Sequence, residues 1–230
     1  MRFPHLFRLI APIAILTLQM TSTVAMAQSG HTRENLMVVV RETAGENKQD
    51  ERLLPFGKIR SKMPDGRDVE AEPAWWSFIG DMHVRFVFDK PQTMEGAMPG
   101  DLERLGVPDV DRALVLAMAN LERIYGAPTA SEWTTGVMLV HGKSPDVDSS
   151  YILDRSFWRD VLKQHPEGLV VAVPKRGGLL YSALTNQAAV DSLRKGVGYL
   201  YSSSGNLRVS SALYLFRDDK WSVLQAPIKQ

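Results

Sequence analysis

The residues best suited to binding chemistry lie at 175–178. Lys175-Arg176-Gly177-Gly178 place two cations and two glycines in one turn between the apolar runs 169–173 and 179–184. A guanidinium presents a two-pronged donor to carboxylate or phosphate, a lysine adds a point charge, and glycines let a backbone approach a ligand closely. Together they would form a small anion-binding rim. The competing reading is a solvated hairpin turn whose charges deter edge pairing.

Other constellations fail on spacing. Gly142-Lys143-Ser144 imitates the end of a phosphate-binding P-loop, but five residues rather than four separate it from Gly136, and Pro145 follows where a helix should begin. Asp146, Asp148 and Ser150 imitate the first ligands of a calcium loop. Position six is then Tyr151 and position twelve Phe157, where Gly and Glu are required, so the aspartates read as turn caps. Of His31, His83, His141 and His165, no two share a metal-binding spacing on one element. His83 and His141 fall in strand-like segments and could meet across a sheet, which keeps a spatially assembled His/Asp/Ser hydrolase site open. No Gly-x-Ser-x-Gly elbow is present, and Ser202-Ser203-Ser204-Gly205 reads as a turn. Seven methionines beyond residue 27 are scattered, which argues against a copper site. The reading therefore assigns no metal, no cofactor and no catalytic residue. Trp158 and Trp221 read as core. Trp75 and Trp76 are adjacent, so in a strand they would point to opposite faces.

Positioning these side chains requires a fold. Apolar alternation or runs predict strands at 36–40, 77–79, 82–88, 136–141, 151–153, 169–173, 179–184, 207–216 and 221–224. Gly80-Asp81 reads as a two-residue hairpin turn, and Met63-Pro64-Asp65-Gly66 as a further turn. In 82–88, Met82, Val84, Phe86 and Phe88 alternate with His83, Arg85 and Val87, so one face should be buried. Three- and four-residue apolar steps predict a helix over 110–125 capped at Asp109 or Asp111, a second capped by Asp154, and a third capped by Thr185. Strands joined by tight turns and mixed with about three helices indicate an α+β fold with a mixed, largely antiparallel sheet.

The quoted segments carry a resemblance. The helix ending Ala119-Asn120-Leu121, Tyr151-Ile152-Leu153-Asp154 with Phe157-Trp158, Val170-Val171-Ala172-Val173-Pro174-Lys175-Arg176, and Ala212-Leu213-Tyr214-Leu215-Phe216 with Trp221 resemble the YtpQ-like family of bacterial proteins, a domain of unknown function, over about 75–225. The resemblance implies an α+β fold and no reaction. Where the family has an acidic residue after Val-Pro-x-Arg, this chain has Gly177, so no role of that acid carries over.

The start of the chain reads as a secretory signal peptide, 1–27. Arg2 and Arg8 precede an apolar stretch of about a dozen residues, too short for a membrane span, and Ala25 and Ala27 suit cleavage before Gln28. The expected organisation is 1–27 signal, 28–74 an N-terminal extension or first part of the domain, and 75–230 the α+β domain. Without Arg2 and Arg8 the chain carries 25 basic and 26 acidic side chains, which argues against nucleic acid as a partner. Cysteine is absent, which excludes disulfides, thiolate metal sites and thiol nucleophiles. The sequence thus points to a periplasmic or secreted binding protein with a protein or cell-envelope partner. The alternatives are the hydrolase and an exported inhibitor or immunity-type protein.

Overall fold

The computed structural model describes residues 30–62 and 65–228; the expected signal peptide, its Ala27–Gln28 cut, and Met63 and Pro64 lie outside the described residues. The first sheet contains β1 (Leu36–Glu42), β2 (Leu54–Pro55), β5 (Trp75–Ser77), β6 (Met82–Lys90) and β7 (Thr93–Gly96). Its order is β1-β6-β5-β2, with β7 sharing the β5 side of β6. Between them, β3 (Ile59–Lys62) and β4 (Asp68–Ala71) form a separate two-stranded ribbon. After α1 (Pro99–Arg104) and α2 (Val110–Tyr125) comes a second, six-stranded sheet. It is built from β8 (Thr129–Thr134), β9 (Val137–His141), β10 (Leu169–Ala172), β11 (Leu179–Ala183), β12 (Leu213–Arg217) and β13 (Lys220–Gln225), in the order β13-β12-β10-β11-β9-β8. A 3-10 turn (Asp148–Leu153) and α3 (Arg155–Gln164) precede β10, and α4 (Gln187–Ser202) precedes a 3-10 turn (Gly205–Leu207) and β12. Every strand pair is antiparallel, and the chain is α+β with 29% helix and 34% strand.

The main core joins both sheets. Val38, Val40, Phe86 and Phe88 meet Val171, Tyr181, Tyr214 and Phe216, closed by Ala117 and Leu121 of α2 and Trp158 of α3. On the far face of the second sheet, Val190, Leu193 and Val197 of α4 cover Val170, Ala172, Leu180 and Leu213. β10 thus sends successive residues into two cores, which is why 169–173 is apolar without alternation.

Several elements differ from expectation. Residues 151–153 are not a strand but the end of the 3-10 turn, where Tyr151 is buried and its carbonyl accepts the Trp158 indole N–H at 2.8 Å. The strand expected over 207–216 begins only at Leu213, because Ser210 turns its hydroxyl into a buried network. α4 is capped by Asn186, whose carboxamide oxygen accepts from the Ala189 N–H, rather than by Thr185. Ser77 pairs with His83, so the connection between β5 and β6 is longer than two residues, and Gly80 enters it at φ +59°. Both faces of β6 are largely buried: His83 is 2% exposed. β8 and α1 were not expected from the sequence.

A candidate anion-binding site

β-sheet register assembles the site. Arg41 lies opposite His83, and Val39 opposite Arg85. Directly opposed residues share a face, so Arg41 and Arg85 are diagonal neighbours with His83 between them. β5 extends that face, placing Trp75 opposite Arg85. The Arg85 Cζ lies 3.8 Å from the Trp75 ring centroid, and Phe56 and His83 both pack against the same indole.

The third cation comes from the turn at 174–178. Its backbone is anchored on both sides: the Arg176 N–H donates to the Leu207 carbonyl at 3.0 Å, and its own carbonyl accepts from the Ser149 N–H at 2.7 Å. The charge of Arg176 acts on both Arg41 and Arg85. Burial and then the nearby Arg176 and Arg85 bring Arg41 down to about 10. Burial and then Arg176 do the same to Arg85, also to about 10. Both stay charged at neutral pH.

Three half-buried arginines are therefore close enough for their charges to act on one another. The exposed Asp146 offsets Arg41 from a distance, but among the described residues no carboxylate forms an ion pair with Arg41, Arg85 or Arg176. Few donors are used internally. Arg41 donates to its neighbour's carbonyl, Val40 O, at 2.8 Å, and Arg85 to His83. Arg176 reaches Asn206 O only at 3.4 Å, and its Nε is buried without a partner. Like charges held together out of water are costly unless an anion or its equivalent satisfies them. Each fork can grip an anion bidentately.

The predicted turn residues separate on inspection. Arg176 belongs to the cluster. Lys175 is bridged to Arg208 along the backbone. The two glycines answer to packing: a Cβ on Gly177 would lie 2.7 Å from the Pro145 Cβ, and one on Gly178 2.8 Å from the Lys175 Cγ. Arg41 and Arg85 escaped the sequence reading. Their signal was two arginines in otherwise apolar strands, one directly after the 36–40 run and one alternating with Val84 and Phe86 within 82–88.

The remaining candidates are dispersed. His83 is neutral, held down to about 3 by burial, then by Arg85 and Arg41, and contacts Thr43 Oγ1 at 2.7 Å. His141 stands on the second sheet beside Ser131 Oγ at 3.3 Å. His31 stacks on Phe88 and bridges Glu95 and Asp101, and His165 ends α3. Asp81 receives the hydroxyls of Ser210 at 2.5 Å and Tyr214 at 3.1 Å, a buried network without a histidine. Asp148 accepts the Gly142 N–H at 2.8 Å, so the calcium-like and P-loop-like residues cap one turn. Among the described residues no group of three metal-ligating His, Asp or Glu side chains occurs, and no helix is long and apolar enough to cross a membrane.

No protein-family model, curated protein or solved structure matches the chain.

Proposed function

We propose that this is an exported, non-catalytic binding protein of the cell envelope, periplasmic or secreted, that grips an anionic group of a protein or envelope partner with Arg41, Arg85 and Arg176. The observation that carries the reading is Arg41 and Arg85 half-buried as diagonal neighbours on one sheet face, with Arg176 near enough for its charge to act on both and no carboxylate in an ion pair with any of the three among the described residues. The signal-like residues 1–27 support export. Kinship with the YtpQ-like family is part of the same proposal; its quoted segments fall on α2, the 3-10 turn at 148–153, α3, β10 with the turn after it, β12 and β13. The hydrolase reading has less support, because buried His83 sits among arginines and buried Ser210, which bonds Asp81 and Tyr214, has no histidine beside it.

The test is capture from envelope extract by immobilised protein, wild type against Arg41→Gln with Arg176→Gln. The reading expects a specific set of partners, eluted by inorganic phosphate and lost from the double variant at unchanged unfolding midpoint. Identical recovery on both proteins would overturn it.

A further inference from the structure

A second site lies apart from the arginine cluster, in a cleft of about 650 Å³ between α2, the start of α3 and residues 51–53. Its size is that of a small-molecule pocket, and such pockets are mainly apolar with a few convergent polar groups. Leu53, Leu114, Met118 and Phe78 supply the apolar wall, and Val115 at its rim is 72% exposed.

The charges in the cleft do not balance. Arg155 donates to Glu51 Oε2 at 2.5 Å, and Arg159 holds Asp219 with two bonds of 2.9 and 2.7 Å. Those two cations are thereby neutralised. Asp111, Glu122 and Asp154 remain against Arg52 alone. Asp154 is 5% exposed and uses Oδ1 to accept the Phe157 N–H and the Ser156 hydroxyl at the start of α3. Glu122 also lines the cleft, its carboxyl within hydrogen-bonding reach of Asp154. Burial first, and then Asp154, push the Glu122 carboxyl upward. An excess of negative charge beside an apolar wall is complementary to a cation with an apolar body.

We propose that this cleft binds a small apolar amine, its ammonium on the paired carboxyls of Glu122 and Asp154 and its hydrocarbon body on Leu114, Met118 and Leu53. The ammonium stabilises both carboxylates. An alcohol of the same shape gains only the apolar contact, and a carboxylate is repelled.

Calorimetry with n-hexylamine, n-hexanol and n-hexanoate tests this. Hexylamine should bind at least tenfold more tightly than hexanol, and hexanoate should not bind. Glu122→Gln should weaken hexylamine at least tenfold, and Ala119→Trp should block the cleft. The proposal is overturned if amine and alcohol bind alike, if Glu122→Gln leaves hexylamine unaffected, or if only a lysine-containing peptide binds, which would make the cleft a protein-docking site. Because Arg41, Arg85 and Arg176 take no part, its failure leaves the anion site standing.

Discussion

Arg85 donates its Nε–H to Nε2 of His83 at 2.6 Å, which makes that ring nitrogen an acceptor and leaves Nδ1–H to donate to Thr43 Oγ1. The imidazole is therefore held neutral between two positive charges. A histidine in this position acts as a wedge that fixes the arginine fork and does not act as a base.

The pH dependence follows in sign. The pKa of His83 is about 3 in the fold against 6.5 when unperturbed, so between those values the unfolded chain binds the extra proton. Its contribution to stability is complete above pH 6.5 and is lost progressively as pH falls toward 3, amounting to roughly 3–5 kcal/mol over that window. Histidine NMR titration should show the His83 ring neutral at pH 5. His83→Gln should flatten the loss of unfolding free energy between pH 6.5 and 4; an unchanged slope would show that His83 is not the group responsible.

Glu122 gives the opposite sign. Its carboxyl is pushed above the ordinary value, chiefly by burial and then by Asp154, so the fold favours the protonated form and is penalised as pH rises through the raised value. Glu122→Gln should hold or raise the melting temperature at pH 7.5 and have little effect at pH 4. A clear drop at pH 7.5 would mean that the ionised carboxylate has a stabilising partner.

Leu121 is fully buried in the α2 stripe. Leu121→Ala should cost about 2–5 kcal/mol in denaturant unfolding, and the exposed Arg112→Ala should cost little. Gly80→Ala should be comparably damaging for a different reason. Its Cβ would stand 2.5 Å from the Tyr214 hydroxyl at φ +59°, forcing apart the Asp81–Tyr214–Ser210 network. If Gly80→Ala is neutral while Leu121→Ala is not, that network contributes little to stability.

Export has its own readout. Mass spectrometry of the protein from its native host should find Gln28, or its cyclised form, at the N-terminus. Recovery of Met1 would contradict the compartment assignment.

What could be read in the sequence was set by local physics. α2 was legible because Asp109 caps it, Gly126 ends it, and the apolar stripe between them has helical period. β1, β6, β10 and β11 were legible as apolar runs or alternations. Residues 151–153 misled because burial there is by 3-10 geometry, and an apolar triplet is too short to show its period. β8, exposed along its whole length, has no apolar pattern to betray it. One of the three arginines of the candidate site was visible: Arg176, flagged by its turn. Arg41 and Arg85 needed the register between β1 and β6, a long-range pairing that composition does not encode. The glycines beside Arg176 pointed the right way for the wrong reason, since Pro145 and Lys175 fill the space a ligand was expected to use.

The most direct measurement is a calorimetric titration of the full chain with inorganic phosphate at two salt concentrations, on wild type and on Arg41→Gln, Arg85→Gln and Arg176→Gln singly and together. An anion site built from these three side chains predicts stoichiometric binding that weakens as salt rises, a loss of at least about tenfold for each single variant, and none left in the triple variant at preserved circular dichroism. Binding that is equal in wild type and triple variant, or absent from a folded wild type, would contradict it.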